Sequence, residues 1–251
     1  MSDFHQFLVL SDLHLGAQAT AQGRCPNTSF VQVLDYIEQH HSEAEVVFIT
    51  GDLVDNGVEA EYELLREALS GFPLPVHLTL GNHDDPNAFR RVFGPNLSSR
   101  SKVELQNGTP CYVLDTHLAG QNAGRLGASQ LDWFKERLAE DTRPAFVFMH
   151  HPPGLVAVPS FDAIGLTDRD ALGPIIDAAP QIRAAFFGHC HMPLSGRFGQ
   201  MPGYCVSSTF VQFRPSSKKV KFGLNKTAPP GFGVVFHTPS SFIYHAVGLP
   251  Q

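Results

Sequence analysis

Five short apolar runs, each closed by the same kind of polar chemistry, constrain this chain more than any other feature. They occupy residues 7–10, 46–49, 76–80, 146–149 and 184–187. All are rich in β-branched or aromatic residues and nearly continuous rather than alternating, which is the pattern of strands buried on both faces. The first is followed by Asp12-Leu13-His14 and the second by Gly51-Asp52-Leu53-Val54-Asp55. The third leads into Gly81-Asn82-His83-Asp84, the fourth into His150-His151-Pro152-Pro153, and the fifth into Gly188-His189-Cys190-His191. Neighbouring strands of an open α/β sheet deliver their carboxyl ends to one crevice, where such sheets bind ligands. In extended chain, residues i and i+2 project to one side, so Asp12 is expected beside His14, and His189 beside His191.

Helices are expected between the runs. Thr28 or Ser29 can cap one through His40, with Phe30, Val33, Leu34 and Ile37 on one face. Residues 60–69 place Tyr62, Leu65 and Leu69 at helical spacing; Ser129 can cap a segment through Leu138, and Asp168 or Asp170 one through Ala178. Alternating strands and helices give the α/β class. Asn107-Gly108 predicts a hairpin within 102–114, and 204–211, 233–237 and 242–247 again read as strand, adding to the sheet or forming a second one.

The 251 residues suggest one large domain, 1–251. With 43% hydrophobic and 17% charged residues, the chain is too apolar to be disordered and has enough for a sizeable core. The net charge of −6 argues against a groove-reading nucleic-acid binder. No apolar run reaches the roughly 18 residues of a membrane span, so no membrane partner is expected. Met1-Ser2-Asp3-Phe4-His5 lacks the look of an export leader. That makes the expected location cytoplasmic, and Cys25, Cys111, Cys190 and Cys205 are read as reduced thiols.

The strand ends together offer Asp12, His14, Asp52, Asn82, His150, His189 and His191: carboxylates, imidazoles and one amide oxygen, without a thiolate. Such a set suits Mn, Fe, Co, Ni or Zn. It is too large for one ion, but two divalent ions about 3.5–4 Å apart, sharing a carboxylate, would use all of it.

In this order the motifs D-x-H, G-D-x-x-D, G-N-H-D, H and G-H-x-H resemble those of the calcineurin-like metallophosphoesterase superfamily. The doubled Asp84-Asp85, Met149-His150-His151-Pro152-Pro153 and Val211-Gln212-Phe213-Arg214-Pro215 are similar to its class III cyclic-nucleotide phosphodiesterases and their glycerophosphodiesterase relatives. The resemblance implies a four-layer αββα sandwich of two mixed sheets with the dinuclear site at the strand ends. It implies that Asp12, His14, Asp52 and His191 hold one ion, and that Asp52, Asn82, His150 and His189 hold the other. Asp52 would bridge the two. His83 would face the phosphate as a catalytic group, with Asp84 orienting its ring. The implied reaction is hydrolysis of a small phosphodiester, a 3',5'-cyclic nucleotide first, by a hydroxide held on Mn, Fe, Zn or Co. Alternatives are a glycerophosphodiesterase or broad phosphoesterase, and a non-catalytic scaffold of the same fold; a scaffold would be marked by missing ligands, and none is missing.

Other residues are read more plainly. Asp55 supports the site or makes a turn, His151 packs behind it, and Cys190 turns into the core. His117, His237 and His245 are structural or superficial. His40-His41 meets the last carbonyls of its helix. Most of the 20 phenylalanines belong to the core, while Phe161, Phe210 and Phe213 are candidates to stack a nucleobase. The Gly-, Pro- and Ser-rich segments near 152–170 and 210–232 are expected to cap the site or to contact a second subunit of a homo-oligomer, a dimer or larger.

Overall fold

The apolar runs become the cores of two sheets. In the computed structural model, which describes residues 4–20, 23–95, 100–214 and 222–250, the first sheet contains β1 (His5–Leu10), β2 (Val47–Thr50) and β3 (Val76–Thr79), all parallel. The second contains β4 (Arg100–Glu104), β5 (Pro110–Leu114), β6 (Ala145–Phe148), β7 (Ile182–Phe187), β8 (Leu194–Phe198) and β9 (Met201–Cys205). Its order is β4-β5-β6-β7-β9-β8, with β5, β6, β7 and β9 parallel and an antiparallel strand at each edge. A small ribbon pairs β10 (Gln212–Arg214) with β11 (Gly223–Asn225). The first sheet is completed by β12 (Gly231–His237) and β13 (Phe242–Gly248), giving the order β13-β12-β1-β2-β3.

Continuous apolarity is explained by where alternate residues go. On β1, Phe7 and Val9 enter the core between the sheets, while Leu8 and Leu10 enter the core under the helices. On β6, Phe146 and Phe148 face the first sheet and Val147 and Met149 the opposite layer. The two sheets meet through aromatic rings: Phe48 stacks on Phe148 at 3.8 Å, and Phe7 sits edge-on to both. Helices α1 (Pro26–His40), α2 (Glu59–Leu69) and α3 (Pro86–Phe93) cover the first sheet; α4 (Ala128–Glu140), α5 (Pro159–Asp162) and α6 (Arg169–Asp177) cover the second. The result is the expected αββα sandwich of mixed sheets.

The details correct several expectations. Helix α1 starts at Pro26, whose fixed φ suits the first helical position, and not at a Thr28 or Ser29 cap. Gly127, not Ser129, occupies the cap position of α4, and Ser129 instead receives Arg100. Asp168 does precede α6, but its carboxylate accepts the N–H groups of Leu126 and Gly127 rather than capping. His41 bonds Gln6, and His40 packs on Tyr36 at 4.3 Å. The strand predicted over 204–211 ends at Cys205, because Ser208 ties the next residues into a turn: its Oγ accepts Phe210 N–H and Val211 N–H. The hairpin at Asn107-Gly108 forms as expected. Residues 1–3 of the leader argument, and Pro215 with the rest of 215–221 in the second segment, lie outside the described residues.

Candidate metal centre

Every one of the seven candidate ligands lies just past the carboxyl end of a strand. The first sheet supplies Asp12 and His14 after β1, Asp52 after β2 and Asn82 after β3; the second supplies His150 after β6 and His189 and His191 after β7. The site therefore straddles the edges of both sheets. The expected i, i+2 alternation is not what brings the paired ligands together. Asp12, His14, Asp52, His189 and His191 all have positive φ, between 47° and 69°, so the chain leaves each strand through left-handed turns. Such conformations are costly for side-chain-bearing residues and concentrate at functional sites. Gly81 allows the close approach: a Cβ there would collide with the Asp52 carboxylate.

The converging atoms are ligand atoms. Nε2 of His14 and Nε2 of His191 are 3.0 Å apart, and His191 Nε2 is 3.4 Å from Asp12 Oδ1. Asp52 Oδ2 lies 3.6 Å from His14 Nε2 and 3.4 Å from His150 Nε2, so one carboxylate oxygen touches both halves of the cluster. Asn82 Oδ1 is 3.1 Å from His150 Nε2 and 2.9 Å from His189 Nδ1. Asp12, His14, Asp52 and His191 form one compact group, and His150 and His189 fall in a second together with His151.

Behind them, the other ring nitrogens are fixed. His14 Nδ1 is held by the Asp55 carboxylate at 3.2 Å, His150 Nδ1 by the Thr50 carbonyl at 2.8 Å, and His191 Nδ1 by the Val211 carbonyl at 3.0 Å. A carbonyl or an ionised carboxylate can only accept, so Nδ1 carries a proton and Nε2 is the nitrogen left to offer a lone pair when a cation takes the place of its proton. For His14 and His191 this aims the two Nε2 atoms at each other. Asp12 Oδ2 and His189 Nε2 are buried without a hydrogen-bond partner among the described residues. Converging acceptors with orphaned buried atoms make a site that fits cations.

The electrostatics agree. Burial alone would lower the His14 and His150 pKa values, but the carboxylates reverse it: Asp55, Asp52 and Asp12 raise His14, and chiefly Asp52 raises His150 to about 9. Burial acts against the charged Asp52, yet His150 and His14 hold its carboxyl well below the usual range. Protons and imidazolium thus stand in for positive charge that this cluster of acids attracts. Burial lowers His189 and His191, which keeps them neutral.

The neighbours divide cleanly. His83 is partly exposed; its Nδ1 bonds the Asp55 carbonyl at 2.8 Å and its ring stands 4.6 Å from that of His14. Asp84 does not reach that ring, contrary to expectation. It is buried and accepts the N–H groups of Gly81, Leu53 and Val54 and the Tyr62 hydroxyl, four donors that turn it away from its neighbour. Burial and nearby Asp52 push its pKa up to about 7. The support for His83 comes from Asp55 instead. His151 has both nitrogens engaged, by Thr116 Oγ1 and the Asn122 carbonyl, and Cys190 is in the core. Sequence reasoning missed Thr50, Val211 and Ser208. The first two act through carbonyls that no residue type announces. Ser208 Oγ donates to the Asp12 carbonyl at 2.7 Å and had no motif around it. Above the cluster opens a cleft of about 330 Å³, with Asn82, His83, Asp55 and Asn122 on polar ground and Phe161, Ile164, Phe210, Val211 and Phe213 forming an apolar wall.

This fold and site define a phosphoesterase, and the chain belongs to the calcineurin-like phosphoesterase family, whose model matches residues 5–193. Among curated relatives, it is 32% identical to a Synechococcus protein described as a probable cyclic nucleotide phosphodiesterase, over 81% of this chain and 80% of that one. It is 27% identical to the 3',5'-cyclic adenosine monophosphate phosphodiesterase CpdA of Haemophilus influenzae, over 94% and 87%. A dimetal phosphatase from Danio rerio shares the fold with a TM-score of 0.74 at 12% identity, covering 97% of this chain and 96% of that one. The resemblance drawn from the motifs is thereby borne out.

Proposed function

We propose that this chain is a two-metal phosphodiesterase that hydrolyses 3',5'-cyclic nucleotides. The observation that carries the reading is the set of imidazole nitrogens and carboxylates converging around Asp52 Oδ2, with the buried Asp12 Oδ2 unpartnered among the described residues. Asp12, His14, Asp52 and His191 would hold one ion, and Asp52, Asn82, His150 and His189 the other. When bound, two such ions activate water near neutral pH and neutralise charge on the phosphoryl group. The donor types favour Mn, Fe, Zn or Co. The curated relatives, named for cyclic nucleotides and matched over most of their length, support the substrate.

The protein's own groups do the rest. Asp55, Thr50 and Val211 fix the tautomers of His14, His150 and His191. Asp12 and Asp52 also accept the N–H groups of His189 and His83, which locks the loops to the ligands they carry. His83, whose Nδ1–H donates to the Asp55 carbonyl, keeps Nε2 for the substrate and, when that nitrogen also carries a proton, serves the departing oxygen as proton donor. Asp84 shapes the loops. The chain forms one domain over 1–251 in this reading. The described parts of segments 152–170 and 210–232 act as caps, supported by Phe161, Ile164, Phe210, Val211 and Phe213 in the cleft wall. The four free cysteines support a cytoplasmic location, and the exposed Ile243 on edge strand β13 supports a homo-oligomer, a dimer or larger. No helix among the described residues is long and apolar enough to cross a membrane. The test is turnover of a panel of cyclic nucleotides, linear diesters and monoesters by metal-loaded protein. The highest kcat/KM is expected for a cyclic nucleotide; a higher value for matched monoesters contradicts the reading.

A further inference from the structure

The cleft is chemically lopsided. Its lining joins carboxylates, imidazoles and two asparagines to an apolar set in which Phe161, Phe210 and Phe213 predominate. Phe161 lies 5.5 Å from His189, and Phe213 5.4 Å from His191, so the aromatic wall begins directly beside the floor. Phe222 stacks on Phe213 at 4.9 Å and 21°, and Phe161 stands edge-on to both, at 5.8 Å from Phe213 and 5.4 Å from Phe222. Phe222 remains 38% exposed, and Phe213 is half-buried. A core has no need of aromatic rings gathered at a wet rim; a ligand with an apolar, planar end does.

We propose that Phe213, backed by Phe222 and braced by Phe161, is the specificity-determining residue that stacks the substrate's nucleobase. The inference rests on the phosphodiesterase reading and deepens it. With the phosphate on the floor, the remainder of the molecule must lie along either wall. A glycerol group would place hydroxyls against phenyl rings, whereas a base offers a π-face. Phe213 is preorganised for this: its N–H donates to the His191 carbonyl at 2.6 Å, which ties the ring's position to the loop carrying that histidine. Stacking of this kind tolerates any base, so the wall selects for a nucleoside and not for adenine in particular.

The test compares Phe213→Leu and Phe213→Trp with the parent on two substrates, adenosine 3',5'-cyclic phosphate and the base-free methyl riboside 3',5'-cyclic phosphate, with metal content measured on each protein. Alanine replacement of a stacking aromatic typically weakens binding by roughly five- to a hundred-fold. Phe213→Leu, which keeps apolar volume but no ring, is expected to lower the ratio of kcat/KM for the nucleotide over the base-free ester by roughly ten-fold, through KM. Phe213→Trp is expected to restore it, and Phe222→Ala to shift it in the same direction by less. An unchanged ratio overturns the proposal, whether both substrates lose equally, as for a ring that merely packs against His191, or neither loses. Failure of the parent itself on the cyclic nucleotide, with turnover of other esters, overturns the phosphodiesterase reading first and is seen before any variant is made.

Discussion

At the scale of single residues, the candidate site depends on which nitrogen of each histidine is free. Asp55, Thr50 and Val211 decide that for His14, His150 and His191. Because Asp52 Oδ2 faces both halves of the cluster, Asp52→Ala is expected to lose both ions, while Asn82→Ala weakens one; metal content per chain measures each. His83→Ala is expected to keep its metals and to slow a ribose leaving group by about 10²–10⁴-fold, but p-nitrophenolate far less, since that group departs without a proton. Equal losses on both would assign His83 to binding alone. Asp84→Asn has a different outcome. Its carboxylate accepts three backbone N–H groups and the Tyr62 hydroxyl, so an amide leaves a buried donor facing another donor. The expected cost is about 1–3 kcal/mol of stability, read from the denaturant midpoint. The ligand positions were legible because each sits in a motif a few residues long at the end of an apolar run. The contact that misled was Asp84 with His83: adjacency in sequence says nothing about which way two side chains turn.

At the scale of elements, strand ends place the ligands and helices hold the strands in place. Phe148→Ala on β6 removes the ring stacked at 3.8 Å on Phe48 between the sheets and is expected to cost about 3–5 kcal/mol, measured by chemical denaturation. Strands β1, β2, β6 and β7 were legible because burial on both faces leaves an unbroken apolar run, whereas β3, half-buried at the edge of its sheet, was legible from Val76, Leu78 and Leu80 before the Gly81-Asn82-His83-Asp84 motif. Helix α3 was not, since Ala88 and Phe89 are its only buried residues and Arg90 and Arg91 interrupt any stripe. Its one signal is Asp85-Pro86, a cap followed by a residue suited to the first turn, and the Asp85 carboxylate does accept Asn87 N–H and Ala88 N–H. Strand β8 lies at an edge and is largely exposed, so its sequence carries no period to read. The left-handed turns at the ligands were equally hidden, because non-glycine residues adopt them under tertiary constraint.

At the scale of the whole molecule, the order in which strands join two sheets comes from pairings far apart in sequence, such as β1 with β12, which local patterns do not encode. The same pairing buries His237 between the sheets, where neither ring nitrogen has a hydrogen-bond partner among the described residues and Phe7 and Phe146 are 5.5 and 5.6 Å away. Burial first, then the nearby charges of His5 and Arg183, lower its pKa to about 4. The unfolded chain therefore binds this proton before the folded one does, and the stability His237 leaves intact above about pH 6.5 is lost as pH falls towards about 4, by on the order of 3 kcal/mol. His237→Phe is expected to flatten that part of the pH–stability curve relative to the parent; parallel curves would mean that the ring is not buried neutral. The central claim, that both sheet edges combine into one two-ion hydrolytic site, is tested most directly by counting metal in the purified chain and following cyclic-nucleotide hydrolysis as that metal is removed and returned. Two ions per chain, loss of turnover on stripping and recovery with Mn or a similar divalent ion are the expected result. Undiminished hydrolysis by thoroughly metal-free protein would contradict it.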